Sequence, residues 1–180
     1  MIDNATLITL HKSLTGEVLF DKLHQTLYAT DASVYRKIPL AVAFPKDTKD
    51  LKILIEFATK NKITLIPRTA GTSLAGQCVG DGIVVDVSKH FTNIIELNVE
   101  EQWVSVEPGV VRDELNRYLA EHGLFFGPNT STANRCMIGG MVGNNSSGTT
   151  SIKYGVTRDH VLELETVLSD GSVATFFKNQ

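Results

Sequence analysis

The spacing of apolar residues changes several times along the chain, and each change marks a different element. Leu40-Ala-Val-Ala-Phe44 is a short unbroken apolar run closed by Pro45, the mark of a buried strand. Asp47 then precedes Leu51, Leu54, Ile55 and Ala58, an i, i+3, i+4, i+7 series that predicts a capped helix with one buried face. A second apolar run, Ile63 to Ile66, stops at Pro67. Strand, helix and strand within about thirty residues is the length of one βαβ unit.

Beyond it the pattern becomes more β-rich. Gly82 to Val87, Ile94 to Val99 and Trp103 to Glu107 read as strands. Val111, Leu115, Tyr118 and Leu119 line one face of a predicted helix from Val111 to His122, which stops at Gly123. Leu162 to Leu168 reads as a further strand running into a Ser169-Asp170-Gly171 turn, and Phe20, Leu23 and Leu27 suggest an earlier helix between Glu17 and Tyr28. The fold class expected is α+β: a small βαβ subdomain followed by a mixed or antiparallel α+β subdomain. Residues 1–30 form an N-terminal helical segment in this reading, and residues 31–180 the domain proper.

Composition narrows the function. In 180 residues, 17 Lys and Arg stand against 20 Asp and Glu, a formal charge of −3 that supplies no field for gripping nucleic acid or anionic lipid. With 42% hydrophobic and 21% charged residues the chain has globular proportions and should fold. The N-terminus carries Asp3 rather than a basic start before an apolar stretch, and no apolar run approaches the roughly 20 residues of a membrane span, so a cytoplasmic location is expected, with peripheral membrane association through partners left open. Cys78 and Cys136 lack the neighbours of a zinc or iron–sulfur site and read as buried free thiols in a reducing compartment.

Eleven of the 14 glycines lie between Gly71 and Gly148, so unusual backbone conformations are confined to the middle of the chain. Gly71 to Gly76 has the G-x-x-x-x-G spacing of a P-loop, but Gln77 and Cys78 stand where the lysine and the hydroxyl should be. Nucleoside triphosphate hydrolysis is therefore not expected. Successive N–H groups in such a turn still make an anion-binding concavity, with Thr69, Thr72 and Ser73 adding hydroxyls. The alternative is a glycine-rich structural turn. The second segment, Gly127 to Gly148, is rich in Asn, Ser, Thr and Gly, departs from the dinucleotide fingerprint at Ile138, and contains Arg135 as its one basic residue. It reads as a long loop that would hold a ligand by amides rather than cations.

PRTAGTSLAGQ (67–77), EPGV (107–110), GPNTSTANRCMIGGMVGNNSSG (127–148), KYG (153–155) and DHVLELETVLSDG (159–171), in that order, resemble the FAD-binding domain of the vanillyl-alcohol oxidase / p-cresol methylhydroxylase superfamily. Within it the chain is most similar to FAD-linked oxidases related to glycolate oxidase, D-lactate dehydrogenase and D-2-hydroxyglutarate dehydrogenase. The resemblance implies that Pro67, Arg68, Thr69, Ala70, Gly71, Thr72, Ser73, Gly76 and Gln77 wrap the FAD pyrophosphate. It implies that Pro108 and Gly109 form a turn beside the cofactor. Pro128, Ile138, Gly139, Gly140, Gly143, Asn144, Asn145 and Gly148 are implied to run along its ribityl, pyrophosphate and adenosine parts. Tyr154, Gly155 and Val161 match later contacts, with a purely structural tyrosine equally open for Tyr154. Thr72 occupies the place of a flavin-linking histidine in covalent relatives, which implies noncovalent FAD. Arg68 is either a charge partner of the cofactor region or a residue whose stem covers the sheet. His160 reads as structural.

The activity implied is oxidation of a small 2-hydroxy acid by hydride transfer to flavin. Groups that clamp the substrate are implied to lie in a cap domain beyond residue 180, as is any iron–sulfur cluster, and no catalytic residue is assigned within these residues. A noncatalytic flavin- or nucleotide-binding module is the alternative of a different class. UDP-N-acetylenolpyruvoylglucosamine reductase, which shares the domain architecture, fits the Asn/Ser/Gly segment less well.

Overall fold

A computed structural model describes residues 2–178. Its first element, helix α1 (Asn4–Ser13), lies within the segment expected to be helical and buries Leu7 and Leu10. Asp3, weighed above only for its charge, is the helix cap, its Oδ1 accepting from the Thr6 N–H at 2.9 Å and the Thr6 hydroxyl at 2.7 Å. The single helix expected between Glu17 and Tyr28 is instead strand β1 (Glu17–Leu19) followed by the short helix α2 (Lys22–Leu27), capped by Asp21. Leu23 and Leu27 are 64% and 60% exposed, so the spacing that suggested a core face marks none.

Strand β2 (Ala41–Phe44), helix α3 (Thr48–Asn61) and strand β3 (Leu65–Arg68) form the anticipated βαβ unit. Asp47 caps α3 by accepting from the Asp50 N–H at 2.9 Å, and Lys62 closes it in the left-handed region. Leu51 and Leu54 face the core as expected, joined by Ile53 and Phe57, and Ala58 is buried as expected. Ile55 departs from the expectation and lines a groove of about 610 Å³ between α3 and the turn at Ser169 to Gly171. Strand β3 runs through Pro67 rather than ending before it. That is tolerated because β3 is the edge of a sheet ordered β1-β2-β4-β3, where a missing N–H breaks no ladder.

Strand β4 (Ile83–Asp86) lies between β2 and β3 and is parallel to both, while β1 adds antiparallel to β2. The sheet thus draws on residues that precede position 31. Its centre is fully buried: Ala41, Val42, Ile83 and Val84 expose nothing.

The second part is built as expected from antiparallel pairs. Strands β5 (Ile94–Asn98) and β6 (Trp103–Val106) form one ribbon, and helix α4 (Arg112–Ala120) lays Leu115 and Leu119 against it with Val110. Tyr118, placed on that face by spacing, is 39% exposed and stacks on His122 instead. Helix α5 (Ile138–Asn144) and helix α6 (Ser151–Tyr154) follow. The anticipated strand β7 (Glu163–Val167) pairs with a strand that was not anticipated, β8 (Val173–Phe177). No helix among the described residues is long and apolar enough to cross a membrane.

Candidate functional site

The first glycine segment leaves the carboxyl end of β3, on the side of the parallel strands where ligands of open α/β sheets bind. Between them the loop from Thr69 to Cys78 is organised from inside. Ser73 Oγ accepts from the Ala75 N–H at 3.1 Å and the Gln77 N–H at 3.3 Å, and donates to Gln77 Oε1 at 2.8 Å. The Ser73 hydroxyl is therefore a brace of the loop. By contrast, no backbone carbonyl among the described residues accepts from the N–H groups of Ala70, Gly71, Thr72 or Ser73. Four consecutive amides are thus left without a backbone acceptor, and Gly71 bends the chain among them at φ +65°.

The second segment, read as a loop, contains α5. A run of Ile-Gly-Gly-Met-Val-Gly-Asn is poor in helix propensity, so tertiary contacts must favour it. The Ile138 N–H donates to Val110 O at 2.9 Å and the Gly139 N–H to Pro108 O at 2.8 Å, which replaces a side-chain cap at the helix start. Asn145 ends the helix in the left-handed region. The Pro108-Gly109 turn is thereby tied to α5, and the Gly109 N–H is anchored on Phe91 O at 2.7 Å.

The two glycine segments meet at one place. A Cβ on Gly140 would stand 2.5 Å from Thr69 Oγ1, so any larger residue there would force the threonine hydroxyl to move, and glycine leaves α5 close to the first loop. Pro67 to Gln77, Pro108-Gly109 and Ile138 to Asn144 therefore line one region. Gly140, Gly143 and Asn144 are exposed there, and the Asn144 amide donates to Ser146 Oγ at 3.0 Å.

The remaining residues form a second cluster behind α5. Asn145 Oδ1 accepts from the Arg158 N–H at 3.0 Å, and buried Thr157 donates both its N–H and its hydroxyl to Ser146 O, at 3.1 and 2.7 Å. Gly148 packs against the Asn129 carbonyl. Tyr154 stacks edge-on to Phe125 at 5.1 Å, and its carbonyl lies 2.7 Å from His160 Nε2, a structural setting for both side chains. Gly155 closes α6, and the Val161 N–H is engaged with Arg158 O at 3.3 Å. Pro128 is buried, with its carbonyl accepting from Arg112 Nε at 3.1 Å.

Arg112 is the organiser that the sequence reading missed. Its guanidinium also reaches Phe126 O at 3.3 Å and Asp113 Oδ1 at 2.7 Å, gathering the backbone that enters the Asn/Ser/Gly segment. Nothing in the local pattern distinguishes it from any helix-surface arginine.

Charge is sparse at this site. Arg68 directs Nη1 to Thr30 O at 2.8 Å and lies over the Tyr28 ring at 4.9 Å, which favours the reading in which it covers the sheet. Arg135 is exposed and donates to its neighbour Asn134 at 3.0 Å. Cys78 and Cys136 are free and buried, and burial pushes the Cys78 thiol above its ordinary value. No group of three or more potential metal ligands is assembled among the described residues. Backbone amides, small residues and hydroxyls suit a long, neutral-to-anionic cofactor laid against main chain.

Comparison with known proteins supplies the family. Residues 39–176 match the FAD binding domain family, and the chain belongs to that family. It is 46% identical over 159 residues to D-2-hydroxyglutarate dehydrogenase of Pseudomonas putida, an alignment covering 87% of this chain and 16% of that protein. It is 35% identical to glycolate oxidase subunit GlcD of Bacillus subtilis, over 82% of this chain and 32% of that one. The fold superposes on alkyldihydroxyacetonephosphate synthase with a TM-score of 0.84 at 19% identity, covering 99% of this chain and 38% of that one. On p-cresol methylhydroxylase the TM-score is 0.81 at 18% identity, covering 96% and 35%. The chain thus spans about one sixth of the length of the hydroxyglutarate dehydrogenase it matches.

Proposed function

We propose that these residues are the FAD-holding part of an oxidoreductase that oxidises a small 2-hydroxy acid of the D-2-hydroxyglutarate, D-lactate or glycolate type. The observation that carries the reading is the meeting of the two glycine segments at Thr69 and Gly140, which leaves the amides of Ala70 to Ser73 open beside α5. Relatives named D-2-hydroxyglutarate dehydrogenase, at 41% to 46% identity, supply the substrate class.

Bound FAD would supply the hydride acceptor. The protein's part is to bind and orient it. The amides of Ala70 to Ser73 would donate to the pyrophosphate, each such bond to a charged acceptor contributing about 1.5–3 kcal/mol. Pro108, Gly139 and Gly140 would offer a surface without bulk, and the Asn144 amide would be able to donate and accept along the ribityl chain. Thr72 has no nucleophile able to bond a flavin carbon, so the cofactor would be held without a covalent link.

The test is to purify the full-length protein, record its flavin spectrum and add D-2-hydroxyglutarate, D-lactate or glycolate without oxygen. Bleaching of the 450 nm band by one of them is the expected result, and a protein that neither carries nor takes up flavin would refute the reading. Acid precipitation should release all flavin into the supernatant. Yellow colour retained in the pellet would contradict noncovalent binding.

A further inference from the structure

Arg68 and Asp86 are register partners at the carboxyl ends of β3 and β4, so their side chains leave the sheet as neighbours. Tyr28 stands with both. Its hydroxyl donates to Asp86 Oδ2 at 2.6 Å, while its ring lies 4.9 Å from the centre of the Arg68 guanidinium. Asp86 is buried and is fixed in turn by the Ser88 N–H, which donates to Oδ1 at 2.7 Å. Arg68 is held from a further direction by its bond to Thr30 O at 2.8 Å. The guanidinium so held fills the space in which Gly71 would carry a Cβ, the point at which the chain turns at φ +65° into the open amides.

We propose that Asp86, Tyr28 and Arg68 form a stack that positions the cofactor loop through Gly71, and that the Arg68 guanidinium does not itself ligate phosphate. The proposal rests on the FAD reading above. A planar cation on an aromatic face is a rigid platform, and one already bonded to a carbonyl has little reason to leave it for a ligand that backbone amides can satisfy. Gly71 is then required twice over, for its dihedral angle and for the room it leaves the guanidinium.

A double-mutant cycle on the full-length protein tests this, with FAD affinity read from quenching of flavin fluorescence. Arg68→Ala and Gly71→Ala should each weaken FAD about tenfold or more. The double variant should be weakened by clearly less than the product of the two, because removing the guanidinium clears the space the new Cβ needs. Losses that simply multiply would overturn the proposal. Arg68→Lys keeps the charge but not the plane, and should behave as Arg68→Ala does; full rescue by lysine would also overturn it.

The salt dependence separates positioning from ligation. The slope of log Kd against log salt should be the same for wild type and Arg68→Ala, whereas a slope shallower by about one charge would make Arg68 a phosphate ligand. A flavin-free arm guards against failure of the underlying reading. Chymotryptic cleavage after Leu74, which is 79% exposed, should quicken in Arg68→Ala and, to a lesser degree, in Tyr28→Phe. If wild type takes up no FAD, the FAD reading falls while unchanged or quickened cleavage still decides the stack; unchanged rates would sink it.

Discussion

Asp50 carries more of the fold than its place on a helix would suggest. It is 1% exposed, and its two oxygens accept from the Thr15 N–H and hydroxyl, the Gly16 N–H and the Lys46 N–H, all within 2.8–2.9 Å. Burial by itself pushes the carboxyl up, but the N–H groups of Lys46, Thr15 and Gly16 and the Thr15 hydroxyl outweigh it and hold the group below its ordinary 3.8. Asp50→Ala, which strands those donors, should lower unfolding stability by about 3 kcal/mol in urea titrations. Because the folded value is depressed, the carboxylate's contribution is complete above about pH 4 and fades as pH falls through the folded value. Asp50→Asn should accordingly flatten the acid limb of the stability curve. Tyr28 has the opposite sign: burial first, then the bond to Asp86, raises its phenol above 10.0 against an opposing pull from Arg68. Its stabilising contribution is present below pH 10 and is lost as pH rises through the folded value, so tyrosinate absorbance should show one delayed component that Tyr28→Phe removes. Asp47 was legible as a cap from the spacing of Leu51, Leu54 and Ala58. Asp50 and Tyr28 were not, because Thr15 and Asp86, on which they depend, lie 35 and 58 residues away and no local pattern records that distance.

At the scale of elements, most strands and helices with their own propensity were readable, β8 being the exception, whereas α5, made by tertiary contact, was not. Strand β4 and helix α4 follow from Val-rich and Leu-spaced runs. Helix α5 forms in a glycine-rich stretch because Pro108 and Val110 take its first N–H groups, a fact invisible in Ile138 to Asn144 alone. Its closeness to the first loop gives a clean prediction. Gly140→Val should change helix stability by no more than about 1 kcal/mol, since glycine is a poor helix residue to begin with. The same change drives a side chain into Thr69, so FAD affinity should fall about tenfold or more, roughly 1.4 kcal/mol or above. Fluorescence titration beside a melting curve measures both, and an unchanged affinity would show that the two segments need not touch. The candidate site was legible as two glycine segments and a Pro-Gly turn. That Ser73 braces its own loop, and that Asn145 and Thr157 hold the back of α5, depends on how the folded chain turns back on itself and leaves no mark in the local pattern.

For the whole molecule, the two parts differ in how well they are covered. The four-stranded sheet has α1 and α3 packed on its core, whereas the β7–β8 ribbon leaves Leu164, Val173, Phe176 and Phe177 exposed, the last at 69%. A two-stranded ribbon is marginal by itself, and apolar surface of this kind marks a contact face. These 180 residues prepared alone should therefore self-associate at micromolar concentration, and Phe176→Ser with Phe177→Ser should shift the sedimentation profile toward monomer; an unaltered profile would place the contact elsewhere. The order β1-β2-β4-β3 has a temporal side as well. During synthesis β2 and β3 emerge before the strand that joins them, so neither has a parallel neighbour until Ile83 to Asp86 leave the ribosome. Closing that gap requires the chain from Thr69 to Gly82 to fold back on itself, and such nonlocal closure is slow compared with helix formation. The stretch proposed to hold the cofactor is thus the tether whose closure completes the nascent sheet, and substitutions chosen to loosen it for binding will also delay folding.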